Sequence, residues 1–162
     1  MRHKLDSIDR RILELLRNDG RMPNAALAKE VGISPPPCLR RLRALEEAGF
    51  IKGYQAVIDD QQLGYNCTVF TGVRLKGNTA EALSSFGARF ATWPEVREAH
   101  MLAGDVDYLL KIVTTSWESY QEFLAHTLMQ APEVAQVSSA PAVTVNTGNW
   151  RNAAEKELSK IA

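Results

Sequence analysis

Three arginines follow a run of prolines in the first third of the chain. Arg40, Arg41 and Arg43 come shortly after Ser34 and the prolines at 35–37, and no acidic residue stands between them. A guanidinium group can donate paired hydrogen bonds to a phosphate or to the O6 and N7 edge of guanine. Cations near a helix start oppose the helix dipole, at a cost of about 0.3–1 kcal/mol each at low salt. The arrangement therefore indicates an anionic partner, and nucleic acid is the first candidate.

Apolar spacing predicts two short helices before these arginines. The first spans about Ser7 to Asn18 and is capped by Asp6 or Ser7, with an apolar residue at every third or fourth position. The second is capped by Asn24 and closed by Gly32. Short helices of this kind need neighbours to bury their apolar faces, so we expect them to pack against a third.

The third helix is predicted to begin after Ser34 and to present the arginines outward. Prolines are tolerated in its first turn because the N–H groups there lack helical partners. Leu39, Leu42 and Leu45 are predicted to form its buried stripe. A glycine turn between the second and third helices predicts a helix-turn-helix unit, whose second paired helix enters the major groove of DNA. The expected DNA contacts are Arg21, Lys29, Ser34, Pro36, Arg40, Arg41 and Arg43.

Two interpretations of these residues compete. In the first, Ser34 and the backbone around it meet a phosphate at the helix N-terminus, and Arg21 and Lys29 contact the DNA backbone. In the second, the arginines form a solvated surface that pairs with Glu46 and Glu47 one turn further along. The glycine turn that precedes the helix favours the first.

Composition narrows the setting. The 162 residues carry 19 basic and 19 acidic side chains, but residues 1–55 hold 11 Lys and Arg against 7 Asp and Glu. A basic first part and an acidic second part suggest two tasks. No apolar run approaches the roughly 18 residues of a membrane span, and no apolar signal core follows the basic start. The two cysteines are far apart, so neither a zinc site nor a disulfide framework is supported, and we expect a cytoplasmic protein.

The second part of the chain alternates strand and helix patterns. The order is strand, helix, two strands, helix, strand, which predicts an α+β fold with a ferredoxin-like domain at residues 66–145 after a helix-turn-helix domain at 1–50. An extended linker at 51–65 and a tail at 146–162 complete the expected organisation. The predicted elements are Cys67–Leu75, Thr79–Ala91, Val96–Ala103, Val106–Thr114, Ser116–Gln130 and Val134–Ser139, with Gly104 and Asp105 as a hairpin turn.

The predicted sheet carries apolar residues on both faces. Leu109 and Val113 alternate with the apolar residues of the opposite face, and Phe70 points away from its apolar neighbours. Two helices can cover only one face of such a sheet. The other face is covered either by a second subunit or by the chain from Pro141 onward, and we expect a homodimer.

Motifs in both parts resemble one known family. The segments 27–34 (Leu-Ala-Lys-Glu-Val-Gly-Ile-Ser), 49–54 (Gly-Phe-Ile-Lys-Gly-Tyr) and 103–110 (Ala-Gly-Asp-Val-Asp-Tyr-Leu-Leu) are similar in order and spacing to the leucine-responsive regulator/asparagine regulator (Lrp/AsnC) family. The resemblance implies a bacterial or archaeal transcription factor that dimerises through its sensor sheets and assembles further into octamers. It also implies an amino-acid effector bound between sensor domains.

The resemblance carries an effector site onto this sequence. An aspartate can pair with an α-ammonium group, whereas turn N–H groups and hydroxyls can bond a carboxylate. Taken alone, the glycine and aspartate of the hairpin are better explained as a tight turn, and a lone histidine on a strand, such as His100, is more often structural. The expected effector-binding residues are Gly104, Asp105, Asp107, Ser138 and Ser139, with His100 lining the same region.

Two departures affect this expectation. Val106 stands where the family often has an aromatic residue, so the pocket shape is expected to differ. The segment 142–150 is more polar than the family's closing strand.

The sequence thus predicts a DNA-binding transcriptional regulator, modulated by an amino acid and needing no metal or other cofactor. An enzyme is the alternative, because siroheme decarboxylases resemble the same two-part architecture. The chain offers three histidines, none close in sequence, and no nucleophile–base or metal-ligand set, so we expect no enzyme. A third possibility is an effector-responsive partner that no longer binds DNA.

Overall fold

The computed structural model describes residues 4–77 and 79–143. Within them the chain forms two compact units that divide between Val57 and Ile58. The tail predicted at 146–162, and the last residues of the segment at 142–150, lie outside the described residues. Five α-helices and one four-stranded sheet occur in the part that the structure describes, so the predicted α+β fold is confirmed.

The first unit contains three helices, α1 Ser7–Asn18, α2 Asn24–Glu30 and α3 Pro35–Glu47. Helix α1 begins at a reciprocal cap, in which the Asp9 N–H donates to the Asp6 carboxylate over 2.8 Å and the Asp6 N–H donates to the Asp9 carboxylate over 3.2 Å. Two of the orphan N–H groups of the helix start are satisfied in this way. The core of the unit consists of Ile12, Leu27, Ala28, Cys38 and Leu45.

The turn between α2 and α3 depends on one glycine. Gly32 has a φ of 73°, a left-handed conformation that L side chains rarely adopt, and it ends α2. Asn24 does not cap α2 as predicted, because Pro23 occupies the N-cap position. Its side-chain amide instead donates to the Pro35 carbonyl over 2.9 Å. The start of α2 is therefore tied to the first turn of α3.

The buried face of α3 differs from the predicted leucine stripe. Cys38 and Leu45 are fully buried and Leu42 is partly buried, whereas Leu39 is 36% exposed. Positions 38, 42 and 45 have the i, i+4, i+7 spacing of one helix face. The stripe is therefore one residue out of phase with the prediction at its first position, because the small thiol of Cys38 fills the inner place.

The second unit has a sheet with the order β2-β3-β1-β4, antiparallel throughout. This order and the split β-α-β arrangement confirm the ferredoxin-like prediction. A π-helical segment, Leu124–Leu128, continues the second of the two helices in this unit. The elements are β1 Cys67–Leu75, α4 Ala80–Phe90, β2 Val96–Met101, β3 Tyr108–Thr114, α5 Trp117–Phe123 and β4 Val134–Pro141.

One face of the sheet carries the core of this unit against α4 and α5. Val69 and Ile112 are fully buried from the sheet side, and Phe86 and Tyr120 from the helices. The Phe86 and Tyr108 ring centroids are 5.3 Å apart in a tilted contact that favours aromatic attraction. We call the other face, which the helices do not cover, the open face of the sheet.

The connection between β2 and β3 is longer than predicted. The strands pair as far as Met101 and Tyr108, so residues 102–107 form a loop rather than a two-residue turn. Gly104 does not adopt a positive φ, in contrast to the expectation of a tight hairpin. The Asp107 N–H donates to the Val73 carbonyl over 2.9 Å, so the chain has turned toward β1 at this point. The loop therefore lies over the end of β1.

Candidate DNA interface and effector region

The outer surface of α3 carries two exposed arginines. Among the described residues, neither Arg40 nor Arg43 forms an ion pair with a carboxylate. Glu46 accepts a hydrogen bond from the Tyr54 hydroxyl over 2.8 Å instead. The interpretation in which the arginines pair with Glu46 and Glu47 is therefore wrong. Two cations are left on one helix face.

Arg41 lies on the opposite side of the helix and holds α3 against α1. Its Nη1 atom donates to the Asp6 carboxylate over 2.6 Å and to the Asp9 carboxylate over 2.8 Å. The Asp9 side chain is only 2% exposed and that of Arg41 is 34% exposed. A buried carboxylate needs such a partner, because removing it from water alone is costly. The structure thus corrects the expectation that Arg41 projects toward DNA.

The same contact changes the acid–base properties of the group. The N–H of Asp9 and then the Arg41 guanidinium hold the pKa of the Asp6 carboxyl below its usual range. Hydrogen bonds to Asp9 and Asp6 raise the pKa of Arg41. Asp6 and Arg41 therefore remain charged together at neutral pH. They form a fixed electrostatic contact between the cap of α1 and the middle of α3.

The first turn of α3 lacks the backbone N–H groups that usually bind an anion at a helix N-terminus. Prolines occupy its first three positions and carry no N–H, and the next donor, the Cys38 N–H, already donates to the Ser34 carbonyl over 3.3 Å. The Ser34 side chain makes no capping hydrogen bond for the same reason. The expected phosphate contact at this helix start stays a prediction, to which the backbone of residues 35–37 cannot contribute an N–H. The exposed Ser34 hydroxyl is left as the polar group of this turn.

The remaining predicted contacts lie on exposed parts of the first unit. Arg21 follows α1, where its N–H donates to the Asp19 carboxylate over 2.9 Å, and its side chain is exposed. Lys29 is in the last turn of α2 and is exposed. Pro36 is exposed in the first turn of α3.

In the second unit, an arginine holds the predicted effector loop. The Arg74 guanidinium donates twice to the Asp105 carbonyl, from Nε over 2.8 Å and from Nη2 over 2.5 Å. The Asp105 side chain is exposed in the loop beside Gly104. Sequence reasoning missed Arg74, because no local pattern relates a strand residue to a loop some thirty residues later.

Asp107 has a structural role in this loop. Its carboxylate accepts the Leu75 N–H over 2.7 Å, and its carbonyl accepts the Leu102 N–H over 2.9 Å. These bonds close the loop and satisfy the end of β1. That Asp107 binds an effector at the rim of the site stays a prediction, since one oxygen of its carboxylate already accepts a backbone N–H.

The two predicted serines of β4 face opposite sides of the sheet. Ser139 pairs with Thr71 in the register, and the hydroxyls of both contact the buried hydroxyl of Tyr120 on α5. Ser138 pairs with Gly72 and faces the open face. Only Ser138 therefore shares a face with the effector loop, and Ser139 belongs to the helix-covered side.

The register also separates His100 from that serine. His100 and Leu109 pair across β2 and β3, and Leu109 and Gly72 pair across β3 and β1. His100 thus lies in the same row of the open face as Ser138, but three strand spacings away, which is about 14 Å. A single small ligand on one chain does not reach both. The Nε2 atom of His100 lies 3.8 Å from a carboxylate oxygen of Glu98.

Val106 brings the loop onto the open face. A Cβ atom at Gly72 would lie 3.1 Å from Cγ1 of Val106, so the valine rests on the glycine backbone. Val106, which stands where the family often has an aromatic residue, therefore packs on Gly72. Gly72, Val106 and Ser138 form one small surface beside Asp105.

A separate concavity of about 620 Å³ lies at the other end of the sheet, where β3 ends beside α5 and the π-helical segment. The guanidinium carbon of Arg97 is 5.2 Å from the ring centroid of Tyr65 at its edge. Glu122 and His126 also line it. None of the residues that the sequence predicts to bind DNA or the effector lines this concavity.

Metal sites and membrane spans have their own structural requirements. Within residues 4–77 and 79–143, no three His, Cys, Asp or Glu side chains converge as metal ligands would. In the same ranges no helix has both the length and the apolar character required to cross a bilayer.

Both units match known protein families. Residues 5–52 match the family described as winged helix-turn-helix DNA-binding, and residues 68–145 match the Lrp/AsnC ligand binding domain. The first match contains α1 to α3, and the second contains all of the sheet except its first residue, Cys67. The order of a DNA-binding unit and a ligand-binding unit is thus the one predicted.

Whole-chain comparisons agree. The chain is 47% identical over 137 residues to a leucine-responsive regulatory protein of Rhizobium meliloti, covering 85% of this chain and 88% of that protein. It is 40% identical over 130 residues to the leucine-responsive regulatory protein of Escherichia coli K12, covering 80% and 79%.

Solved structures give the same result. A Neisseria meningitidis transcriptional regulator in complex with L-methionine has a TM-score of 0.82 at 33% identity, covering 87% of this chain and 91% of that one. An AsnC family transcriptional regulator from Agrobacterium tumefaciens has a TM-score of 0.79 at 36% identity, covering 87% and 92%. The chain belongs to the Lrp/AsnC family of DNA-binding transcriptional regulators, as its motifs predicted.

Proposed function

We propose that α3 enters the major groove and that Arg40 and Arg43 supply its charged contacts to DNA. The observation that carries this proposal is the division of the three arginines, in which Arg41 is paired with carboxylates and the other two are exposed without an acidic partner among the described residues. Ser34, Arg21 and Lys29 contact phosphates in this arrangement. Arg41 acts as a positioning residue that holds α3 on α1.

Fluorescence anisotropy on a duplex selected by the full chain tests this division. Replacing Arg40 or Arg43 with Ala removes a cation from the groove, so affinity falls about 10-fold or more per bidentate contact. If the replaced arginine bonds a phosphate, the slope of log K against log salt also falls in magnitude by about 0.9. Arg10→Ala, an exposed arginine on α1, is the matched control and leaves the affinity unchanged. Equal affinity of all three variants would contradict the proposal.

The ligand of the second unit is proposed to be an amino acid, bound beside the loop 102–107. Asp105 would pair with the ammonium group, and the Ser138 hydroxyl with the carboxylate, on the surface that Gly72 and Val106 form. The neighbour in complex with L-methionine supports this class of ligand. An effector can act only if it binds the assembly states of the protein with different affinity.

Calorimetric titration with L-methionine and L-leucine tests the effector proposal. Ser138→Ala is expected to weaken binding, because that hydroxyl faces the loop. Ser139→Ala is the matched control on the opposite face and leaves the affinity for the amino acid unchanged. The reverse order of the two variants would place the ligand on the other side of the sheet and contradict the proposal.

A second copy of the chain is proposed to cover the open face of the sheet, giving a homodimer that assembles further into octamers. Phe70 is 40% exposed there beside the partly buried Leu109. Phe70→Glu would place a charge in the interface, and sedimentation is expected to show smaller assemblies with the fold retained. Unchanged sedimentation would exclude this face as the interface.

The remaining parts of the proposal concern organisation and setting. A DNA-binding domain at residues 1–50, a linker at 51–65 and a sensor domain at 66–145 divide the work, and the protein acts in the cytoplasm, where bacterial DNA lies. We further propose that it is a regulator without catalytic activity. The regulators with which it shares up to 47% identity support this. Turnover of siroheme, the substrate of the alternative class, would contradict it.

A further inference from the structure

Over residues 35–43, the outer surface of α3 combines apolar and basic side chains, and the exposed Glu46 and Glu47 follow only in its last turn. Pro35, Pro36, Leu39, Arg40 and Arg43 are all exposed, and at about 100° per residue they cover a continuous arc of about 140°. The inner residues 38, 41, 42 and 45 occupy the remaining side. Leu39 is the exposed leucine that the buried stripe does not use. We call these five residues the outer face of α3.

The apolar half of this face has little hydrogen-bonding capacity. The first three residues of α3 are prolines without an N–H group, and the Pro35 carbonyl already accepts from Asn24. The next backbone donor, the Cys38 N–H, already donates to the Ser34 carbonyl. Pro36 and Leu39 therefore offer only hydrocarbon to whatever enters against them.

The major groove of DNA has one apolar feature, the 5-methyl group of thymine. The edges of the other bases present donors and acceptors there, which a hydrocarbon surface would leave unpaired at a cost. Given that α3 enters the groove, as proposed above, we infer that Pro36 and Leu39 recognise thymine by contact with its methyl group. Arg40 and Arg43, on the same face, then hold the neighbouring guanines or phosphates. Specificity is thus divided between hydrocarbon and guanidinium contacts.

Replacing thymidine by deoxyuridine in the duplex tests this inference, because the two nucleosides differ only by the 5-methyl group of the base. A duplex is first selected by the full chain from a randomised pool, and each thymine is then replaced in turn. Burial of one methyl predicts an affinity loss of about 4-fold at the contacted thymines and no change elsewhere. Equal affinity for every substituted duplex would overturn the inference.

Variants of the chain separate direct contact from effects on DNA shape. Leu39→Ala and Pro36→Ala each remove one apolar side chain. At the thymine that this side chain contacts, the variant is expected to bind the thymine and the deoxyuridine duplex with equal affinity. Arg43→Ala is the matched control, which weakens binding to both duplexes alike and keeps their ratio. Leu39 and Pro36 are exposed, so circular dichroism is expected to give unchanged folding. A 4-fold ratio that persists in both variants would mean that the methyl acts through DNA shape, which would overturn the inference.

The outcome also distinguishes this inference from the proposed function. Preferential binding of the selected duplex over an unselected one, with weaker binding by Arg43→Ala, supports the placement of α3 whether or not deoxyuridine changes the affinity. Failure to select any duplex, or an arginine variant with full affinity, would contradict that placement and the methyl contact with it.

Discussion

The Nη1 atom of Arg41 lies 2.8 Å from a carboxylate oxygen of Asp9, a residue 32 positions earlier in the chain. A single guanidinium nitrogen also reaches Asp6, so the cap of α1 and the middle of α3 share one cation. The most conspicuous cluster of positive charge in the sequence thus contains a residue whose charge is used within the protein. Arg40 and Arg43 are the two arginines of this cluster that remain available to DNA.

Removing this cation is expected to destabilise the first unit rather than to act at the DNA surface. Arg41→Ala leaves the buried Asp9 carboxylate without its guanidinium, and we expect a loss of about 1–3 kcal/mol in unfolding free energy. Urea unfolding followed by circular dichroism measures it. Arg43→Ala, on the exposed face, is expected to stay within about 0.5 kcal/mol of the parent protein. Equal stability of the two variants would mean that the pair contributes nothing.

Acid stability of the second unit should depend on Glu133. Arg89, with contacts of 3.0 and 3.1 Å, and then the Ser85 hydroxyl at 2.6 Å lower the pKa of Glu133 to about 2 from 4.5. The folded state therefore binds this proton more weakly than the unfolded state. The stabilisation is fully present above pH 4.5 and is lost as the pH falls toward about 2.

Glu133→Gln should flatten that part of the pH profile. Because the Arg89 side chain is 40% exposed, we expect the contribution to be only about 1 kcal/mol. Unfolding free energies measured between pH 5 and about 2.5 test it. Arg89→Ala removes the principal cause and should give the same flattening, whereas a profile as steep as the parent's in both variants would contradict the assignment.

Asp107 should tolerate an amide better than the loss of its side chain. Asp107→Asn keeps an oxygen that can accept the Leu75 N–H, whereas Asp107→Ala leaves that N–H unpaired at a cost of about 1–2 kcal/mol. Thermal unfolding distinguishes the two. If Asp107→Asn also keeps its affinity for the amino acid, the residue is structural. A selective loss of ligand binding in Asp107→Asn would restore the role that its motif suggested.

Gly72 should accept a side chain only if Val106 is reduced. A methyl group at position 72 would meet Val106 at 3.1 Å, so Gly72→Ala pushes the loop away from the open face. We expect weaker amino-acid binding and a loss of about 1 kcal/mol in stability. Val106→Ala in the same chain should recover most of both, as a double-mutant cycle measures. Additive effects would mean that the two residues do not interact.

The local parts of the fold could be predicted from the sequence. Helix α1 has the predicted bounds, because its cap and its apolar spacing lie within one short segment. The ferredoxin-like order followed from strand and helix patterns for the same reason. The cap of α5 is less readable from the sequence, because Thr115 and Ser116 both carry a hydroxyl and only the Ser116 hydroxyl accepts the Ser119 N–H. Adjacent hydroxyl residues give the pattern no means of choosing between them.

The features that depend on distant partners could not be predicted. Arg41 turns inward because Asp9 is buried opposite, and no pattern within α3 contains that information. Ser138 and Ser139 are equivalent in the motif, yet the β1–β4 register sends them to opposite faces. Arg74 reaches the loop only because β1 lies beside it. In each case the missing information is the position of a second element.

The three prolines at the start of α3 also affect the entropy of DNA binding. Three fixed φ angles restrict the first turn before any partner arrives, so little conformational entropy remains to be lost when DNA binds. Binding that orders a flexible segment carries an unfavourable entropy, which this turn largely avoids. The prolines that deprive the helix of hydrogen-bond donors therefore compensate by presenting DNA with a surface that is already ordered.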